Sequence, residues 1–297
     1  MSAWNPPGKL SQKGTHYVLQ GPDTGRLVVC VHGIGAYSYC FDKIALDLVQ
    51  RGCRVLQYDL MGRGFSQPAA DAVDYGAEGH VNQLRELLVE LSLADMPLDM
   101  IAHSMGGALA VLYLEKYKPK PENNMRLVLL SPAGLMNGGM IKMLRSLTCM
   151  HWCIGPFLRS GQEGEWRKDF YDHQGSAELE NQMMEAQRLQ MQNNPHAFDA
   201  FFQSANHFPL YGLDATVRAL SEQPIKTLIM WGKQDQAVPF QPSFNRWTTL
   251  LPAAETKVFD KAAHTFFLER PQEAADAISS FIGGQNAASL STVPNSA

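Results

Sequence analysis

Short apolar runs alternate along the chain with segments in which apolar residues recur every three or four positions. The apolar runs predict strands at residues 16–20, 27–32, 53–58, 98–103, 125–131, 226–232 and 256–260. The periodic segments predict helices at residues 41–51, 77–93, 106–117, 241–250 and 271–282. Strands this apolar must be covered on both faces, so the pattern predicts an α/β fold with a mostly parallel central sheet and helices on both of its sides.

The alternation is interrupted between residues 134 and 222. This segment is helix-rich and contains seven of the fourteen methionines of the chain, namely Met136, Met140, Met143, Met150, Met183, Met184 and Met191. We interpret residues 134–222 as a helical lid inserted into a core that is formed by residues 1–133 and 223–283. The tail, residues 284–297, is small and polar, and we expect it to be disordered.

Charge and composition exclude several classes of partner. The formal net charge is −4 and no basic run is present, so we expect no binding to nucleic acid and no electrostatic attraction to an anionic membrane. The N-terminal residues lack the apolar segment of a secretory signal, and no run of about 18 apolar residues predicts a spanning helix. The five cysteines are an odd, sparse set that is typical of a reducing compartment. We therefore expect a cytoplasmic protein.

The turn between the strand at 98–103 and the helix at 106–117 carries the first candidate catalytic residue. Its sequence, Ala102-His103-Ser104-Met105-Gly106, matches the Gly-x-Ser-x-Gly nucleophile elbow with alanine in place of the first glycine. The flanking residues must be small because the strand and helix backbones approach closely around a strained serine. We predict that Ser104 is a nucleophile. The alternative is a simple turn whose serine caps the helix.

A serine nucleophile needs a base and an acid that orients the base, and in this architecture the acid and then the base follow later strands. Asp235 lies just after the strand at 226–232, and His264 lies in the loop after the strand at 256–260. We predict that His264 is the general base and that Asp235 fixes its ring and stabilises the imidazolium. Asp260, which is nearer to His264 in sequence, is the alternative acid.

The chain resembles the α/β-hydrolases of the lidded serine-hydrolase branch over about residues 15–283. Besides the catalytic positions, the resemblance rests on Trp-Gly-Lys-Gln-Asp-Gln at 231–236, His-Thr-Phe-Phe-Leu-Glu-Arg-Pro at 264–271 and Ser-Pro-Ala-Gly-Leu at 131–135. These segments are similar to those of α/β-hydrolase-domain monoacylglycerol lipases and, less closely, to those of the C–C bond hydrolases of aromatic degradation. The motifs are specific to the superfamily rather than to one substrate.

Acyl transfer also needs two N–H donors for the oxyanion. Met105 follows the nucleophile at the helix N-terminus and supplies one backbone N–H. The second should come from the turn His32-Gly33-Ile34-Gly35, where the resemblance points to the N–H of Ile34. No cofactor and no metal ion is implied.

We expect a serine carboxylic-ester hydrolase that acts through an acyl-enzyme on small apolar esters, in particular lipid-like esters such as monoacylglycerols. Haloalkane dehalogenases and epoxide hydrolases of this fold would carry aspartate where Ser104 stands. The first alternative is a C–C bond hydrolase of the meta-cleavage type, although His103 and Thr265 stand where those enzymes usually have Asn and Trp. The second alternative is a ligand-binding receptor on the same fold that turns over slowly or not at all.

Several other features have a simpler interpretation. His32 and His103 brace loops rather than serve as a second base. The Gly-rich turn at 58–66 lacks the nucleotide-binding glycine pattern, and the resemblance gives it a structural role. The segment Cys-Met-His-Trp-Cys at 149–153 does not bring three metal ligands together on a helix. The apolar helix at 140–158 is expected to pack on the core, and peripheral membrane contact through this part of the lid is the alternative.

Overall fold

The fold is built on an eight-stranded sheet. The computed structural model describes residues 7–68, 75–139, 142 and 167–283 of the 297-residue chain. The strands are β1 (Lys9–Leu10), β2 (His16–Gln20), β3 (Leu27–Val31), β4 (Arg54–Tyr58), β5 (Leu98–His103), β6 (Arg126–Leu130), β7 (Lys226–Gly232) and β8 (Glu255–Phe259). Their order is β1-β2-β4-β3-β5-β6-β7-β8. The first two strand pairs are antiparallel, and the pairs from β4 across to β8 are parallel.

Alternate side chains of the central strands form two separate hydrophobic cores, one on each face of the sheet. Val29 and Val31 of β3 belong to the same core as Trp231 of β7, whereas Val28 and Cys30 belong to the other core. All of these side chains are at most 1% exposed. Because both faces are buried, the strands appear in the sequence as continuous apolar runs, which is why their predicted positions agree closely with the observed ones.

Helices cover both cores. They are α1 (Asp42–Gln50), α2 (Ala77–Glu90), α3 (Met105–Lys116), α4 (Ala177–Asn193), α5 (Ala197–His207), α6 (Asp214–Ser221), α7 (Phe240–Leu250), α8 (Phe266–Glu269) and α9 (Pro271–Gly283). Helices α2, α3, α6 and α7 contribute buried residues to the first core, and α1, α8 and α9 contribute to the second. The predicted α/β class, with a mostly parallel sheet between two layers of helices, is confirmed.

The predicted insertion, residues 134–222, contains α4, α5 and α6. Val217 and Leu220 of α6 are 0% and 2% exposed and belong to the core that also contains α3 and α7. The boundaries of the lid stay predictions. Residues 140, 141 and 143–166, on which the predicted helix at 140–158 and the segment at 149–153 mainly fall, lie outside the described residues, as does the tail 284–297.

The Gly-rich turn after β4 is organised around the buried carboxylate of Asp59. One carboxylate oxygen accepts the Ser38 N–H at 2.8 Å, and the other lies 2.9 Å from His16 Nδ1 and accepts the Phe65 N–H at 3.0 Å. Gly64 has a φ of +52°, and a Cβ on it would collide with the same carboxylate. The turn therefore joins β2 and β4 to the loop that follows β3.

Candidate active site

Ser104 lies at the apex of the turn from β5 into α3. Its φ is 55° and its ψ is −122°, which is a strained conformation for a residue with a side chain. The Ser104 carbonyl accepts the N–H groups of Gly107 and Ala133, both at 2.9 Å, and the Ser104 N–H donates to the Leu130 carbonyl at 3.0 Å. These bonds hold the backbone of the elbow at the carboxyl end of β5.

Glycine at position 106 allows α3 to approach the end of β3. A Cβ on Gly106 would collide with the carbonyl oxygens of Val31 and His32. Position 102, where alanine replaces the usual glycine of the elbow, is fully buried in β5 and accepts the extra methyl group. The close approach at Gly106 brings the helix N-terminus next to the turn that was predicted to supply an oxyanion donor.

Asp235 and His264 are in direct contact. His264 Nδ1 donates to Asp235 Oδ2 at 2.8 Å, and the two side chains are 6% and 0% exposed, respectively. The other oxygen of Asp235 accepts the Val238 N–H at 2.9 Å, which fixes the carboxylate. Gly232 lets the histidine loop reach the end of β7, because a Cβ there would collide with the Ala263 carbonyl. A proton on Nδ1 leaves Nε2 as the basic nitrogen when the ring is neutral.

His103 joins the serine turn to the histidine loop. The centroids of the His103 and His264 rings are 4.6 Å apart, and His103 Nε2 donates to the His264 carbonyl at 3.2 Å. Ser104 is the next residue, so the predicted nucleophile, base and acid lie together at one edge of the sheet. Ser104 and His264 both lie in the described part of the chain, and Ser104 Oγ and His264 Nε2 form no hydrogen bond with each other. Transfer of a proton from Ser104 to His264 would require the two groups to approach each other, as is common for catalytic hydrogen bonds before substrate binds.

Two opposing effects set the protonation of His264. Burial lowers the pKa of the imidazole, but the negative charge of Asp235 and its hydrogen bond outweigh burial and leave the pKa raised above its usual value. Asp169, whose carbonyl accepts the Thr265 N–H at 3.0 Å, adds to the attraction. Since only the neutral ring can accept a proton, its capacity to act as a base falls as the pH drops through this raised pKa.

Asp260, the alternative acid, makes other contacts. Its Oδ1 accepts from Gln234 Nε2 at 3.4 Å and lies 3.7 Å from Lys233 Nζ, and its side chain is 67% exposed. The carboxylate on His264 Nδ1 is that of Asp235.

The two predicted oxyanion donors lie beside Ser104. Met105 is the first residue of α3, and an N–H in the first helical turn has no partner within the helix. The Ile34 turn reaches the serine through Gly33, where a Cβ would lie 3.1 Å from Ser104 Cβ. Within the described part of the chain, neither the Ile34 nor the Met105 N–H donates a hydrogen bond to another backbone group.

His32 orients the peptide that carries the Ile34 N–H. His32 Nε2 lies 2.8 Å from the Leu60 N–H, which can only donate, so Nε2 accepts and the proton resides on Nδ1. Nδ1 donates to the Gly33 carbonyl at 2.8 Å. In a trans peptide the C=O and N–H bonds point in opposite directions, so the Ile34 N–H points away from the ring. Burial lowers the pKa of His32 to about 4, although the negative charge of Asp59 acts in the opposite direction. The ring is therefore neutral at neutral pH, with its proton on Nδ1.

Three buried neutral histidines predict a steep loss of stability in mild acid. Burial is the main cause that lowers the pKa of His32 to about 4 and the pKa values of His80 and His103 well below the usual range. The unfolded chain takes up these protons below about pH 6.5, whereas the folded protein does not. Each histidine should therefore lower the free energy of unfolding by about 1.4 kcal/mol per pH unit once the pH is well below 6.5.

Urea unfolding at a series of pH values between 7 and 4.5 measures this slope. The raised pKa of His264 acts in the opposite sense, but only above its unfolded pKa, so it does not mask the loss below pH 6.5. In a His80→Gln variant the slope should decrease by the contribution of one proton. A slope equal to that of the unmodified protein would contradict the assignment of His80 as a neutral buried ring.

Sequence reasoning did not identify the residues that hold the loop of the predicted base from the insertion side. Glu269 accepts the N–H groups of Ala263 and Tyr171, both at 2.8 Å, through its two carboxylate oxygens. The Thr265 hydroxyl donates to the Asp169 carbonyl at 2.7 Å. Glu269 and Thr265 belong to the motif at 264–271, but their partners Tyr171 and Asp169 are 98 and 96 positions away, and no local pattern indicates them.

A serine elbow at the carboxyl edge of a mostly parallel sheet, with an Asp–His pair on two later strand ends, defines the α/β-hydrolase superfamily, and the chain is one of its members. More narrowly, residues 22–271 match the model of the family described as "Serine aminopeptidase, S33", so the chain belongs to that family. The protein is therefore a hydrolase of the α/β-hydrolase superfamily.

Similar proteins include several kinds of hydrolase. "Lipase 1" of Psychrobacter immobilis is 26% identical over 278 residues, which cover 89% of this chain and 79% of the lipase. "2-hydroxymuconate semialdehyde hydrolase" of Pseudomonas sp. (strain CF600) is 24% identical, with 92% of both chains covered. The solved esterase from Exiguobacterium antarcticum superposes with a TM-score of 0.72 at 21% identity and covers 92% of this chain and 97% of its own. The last similarity shows the fold alone.

Two further observations apply to the described residues only. None of their helices is both long enough and apolar enough to cross a lipid bilayer. Among the same residues, no group of three or more histidine, cysteine, aspartate or glutamate side chains is arranged to hold a metal ion.

Proposed function

We propose that the protein is a serine carboxylic-ester hydrolase with Ser104 as nucleophile, His264 as general base and Asp235 as the acid that orients the base. The observation that carries the proposal is the 2.8 Å bond between His264 Nδ1 and Asp235, formed beside an elbow serine with a φ of 55°. A serine hydroxyl is a weak nucleophile at neutral pH and needs such a base.

In the proposed reaction, Ser104 Oγ attacks the carbonyl carbon of the ester while His264 Nε2 takes the hydroxyl proton. The electron pair of the C=O bond moves to the oxygen, where the N–H groups of Ile34 and Met105 stabilise the negative charge. The bond to the alcohol then breaks, and the alcohol leaves with the proton from His264. Water attacks the acyl-enzyme with His264 again as base, which releases the carboxylic acid and restores Ser104.

We propose lipid-like esters such as monoacylglycerols as the substrate class. The support is the similarity over 89% of this chain to a protein named as a lipase, together with the methionines and aromatic residues of the insertion. Within α5, Phe198 and Phe202 pack with ring centroids 4.6 Å apart. Flexible methionines and aromatic rings are suited to an acyl chain because they adapt to its shape.

Labelling with an alkyl fluorophosphonate tests the proposed nucleophile. We expect stoichiometric phosphonylation of Ser104, because this reagent requires a serine activated by a neighbouring base. Mass spectrometry of the digested protein identifies the labelled residue, and heat-denatured protein is the control. Folded protein that takes up no label would overturn the hydrolase mechanism and favour a ligand-binding role. Initial rates with p-nitrophenyl esters of two to sixteen carbons then test the substrate class, and equal rates at all lengths would contradict the lipid proposal.

A second candidate function is C–C bond hydrolysis, which the relative named 2-hydroxymuconate semialdehyde hydrolase favours because the similarity covers 92% of both chains. Such a substrate carries a carboxylate. An arginine of the insertion could bind this carboxylate. Arg167 and Arg188 each already pair with a glutamate of the protein, Glu180 at 2.9 Å and Glu185 at 2.6 Å, so either would have to exchange that partner for the substrate. Turnover of a vinylogous diketone acid without turnover of any ester would decide for this second candidate.

A further inference from the structure

Arg63, in the Gly-rich turn after β4, is a buried guanidinium that bonds three separate parts of the fold. It is 1% exposed. Its Nε donates to the Ile34 carbonyl at 2.7 Å, and Nη1 donates to the Met61 carbonyl at 3.1 Å. Its Nη2 donates to the Ala200 carbonyl at 2.9 Å and to Ser204 Oγ at 2.8 Å. One side chain thus connects three parts of the fold, which are the turn at 32–35 that contains Ile34, the turn of Arg63 itself, and helix α5 of the insertion.

The acceptors of Arg63 are unusual for a buried cation. Within the described part of the chain its partners are three carbonyls and one hydroxyl, and no carboxylate pairs with it. Burial lowers the pKa of Arg63 to about 10, which reflects the unfavourable removal of the charge from water. An unpaired buried charge is costly. A neutral side chain could fill the same space, so stability alone does not account for an arginine here.

On the insertion side, the contacts of Arg63 are part of a wider interface. Ser204 Oγ lies 3.2 Å from His80 Nε2. Helix α4 contacts the same turn, because Gln190 Oε1 accepts the Gly64 N–H and Asn194 Nδ2 donates to the Gly64 carbonyl at 3.0 Å. Helix α5 and the C-terminal end of helix α4 are therefore bonded to the turn that presents Arg63.

On the catalytic side, Arg63 and His32 hold neighbouring peptides. His32 donates to the Gly33 carbonyl, and Arg63 donates to the Ile34 carbonyl. These carbonyls belong to the peptide groups before and after the Cα of Ile34, so the two bonds together restrain both backbone torsions of this residue. The direction of the Ile34 N–H depends on those torsions. Because His32 and Arg63 hold these two carbonyls, the Ile34 N–H has a fixed direction. It does not have to be reoriented when negative charge develops on the oxyanion.

We propose that Arg63 is a positioning residue for the oxyanion hole, which sets the direction of the Ile34 N–H and makes it depend on the docking of helix α5. The inference rests on the proposed function, since Ile34 matters as a donor only if an oxyanion forms. It adds to the proposed mechanism a dependence of the oxyanion hole on the position of helix α5. Displacement of α5 removes two acceptors from the guanidinium, which loosens its bond to Ile34 and weakens transition-state stabilisation without touching the nucleophile or the base.

The test compares Arg63→Met and Arg63→Lys with an Arg26→Met control. Methionine fills the volume without donors, and lysine keeps the charge but cannot reach several acceptors at once in the planar fork geometry of arginine. Arg26 is the control because its Nη2 also donates to two backbone carbonyls, those of Asn123 and Asn124, and it precedes β3, at the opposite end of the strand from the Ile34 turn. Unlike Arg63, it also pairs with the buried carboxylate of Asp99 at 2.7 Å. Its replacement should affect stability and not the oxyanion hole.

The first readout is the ratio of kcat for an ester to kcat for the thionoester with the same acyl and alcohol groups. Sulfur accepts hydrogen bonds weakly, so this ratio reports on the oxyanion donors. In Arg63→Met the misplaced donor should lower kcat for the ester by about 10- to 100-fold. This decrease is no larger than the decrease in kcat expected when one oxyanion donor is removed completely. We expect a similar fall of the ratio, little change in KM, an intermediate value for Arg63→Lys and an unchanged ratio for Arg26→Met.

The second readout is amide hydrogen exchange of the segment 32–37, which is expected to be faster in Arg63→Met than in Arg26→Met. An unchanged ratio with unchanged exchange would overturn the inference. If Arg63→Met does not fold, Arg63→Lys and Ser204→Ala decide instead, because both are expected to lower the ratio and unchanged ratios in both would refute the link. Wild-type protein without fluorophosphonate labelling or ester turnover overturns the proposed function, whereas the exchange comparison still decides whether Arg63 holds the Ile34 turn.

Discussion

Replacing Ser104 by alanine is expected to lower ester turnover by about 10⁶-fold, because the nucleophile, base and acid act as a unit and the loss of the nucleophile removes the contribution of all three. The hydrogen bonds around the elbow are made by the Ser104 backbone, so the variant should fold normally. Single-turnover and steady-state assays with the best p-nitrophenyl ester, in a preparation free of contaminating esterase, give the magnitude. Phosphonylation by the fluorophosphonate should be lost in parallel.

Ser131 is a matched control for this experiment. It follows β6, the neighbour of β5 in the sheet, and like Ser104 it is a buried serine with a positive φ, 43°. Its hydroxyl makes no hydrogen bond within the described part of the chain. Ser131→Ala should retain turnover to within a few fold. A Ser104→Ala enzyme that keeps more than a hundredth of the activity would refute the assignment of the nucleophile.

The sheet could be predicted from the sequence because its central strands are buried on both faces. Continuous apolar runs such as residues 226–232 have no other stable location in a chain of this composition, and β7 covers the same residues. β1 was not predicted, since two residues, Lys9 and Leu10, are too few to show a pattern. Helix α6 could not be separated from the insertion by its sequence alone. Its amphipathic pattern is the same whether its apolar face packs on a lid or, as observed, on the core.

The grouping of the candidate site followed from topology. In a parallel sheet the carboxyl ends of the strands meet at one edge, so residues just after β5, β7 and β8 were expected to lie close together although they are up to 160 positions apart. Asp235 and Asp260 both precede His264 in the chain, and Asp235 was preferred because the acid normally lies on a loop separate from that of the base. The sequence does not show how closely the loops after β7 and β8 approach each other. Gly232 allows this approach, because a Cβ there would collide with the Ala263 carbonyl.

Arg63 could not have been recognised from its sequence context. An arginine between two glycines in a turn is normally an exposed residue, and nothing near it in sequence indicates burial. In the fold it is buried, and helix α5, whose Ala200 and Ser204 accept its hydrogen bonds, contacts the turn from more than 130 positions away. Contacts of this kind depend on how an insertion docks, which hydrophobic periodicity does not encode.

Asp235→Asn is expected to lower kcat by about 10⁴-fold while leaving substrate binding nearly unchanged. The amide of asparagine can donate to Nδ1 and so favours the tautomer with the proton on Nε2, which cannot accept the proton of Ser104. It also removes the negative charge that outweighs burial in raising the pKa of His264. The acid limb of the profile of kcat/KM against pH should therefore shift to lower pH in the residual activity of the variant.

Asp260→Asn is the control for this variant. It removes an exposed carboxylate of the loop that carries His264, and this carboxylate contacts Gln234 and Lys233 rather than His264. We expect its kcat and its acid limb to match those of the unmodified enzyme. The reverse result, with activity lost in Asp260→Asn and retained in Asp235→Asn, would mean that the histidine loop rearranges when substrate binds and that the acid is Asp260. Equal small effects in both would mean that no carboxylate controls the tautomer of His264, and the proposed mechanism would fail at the base rather than at the nucleophile.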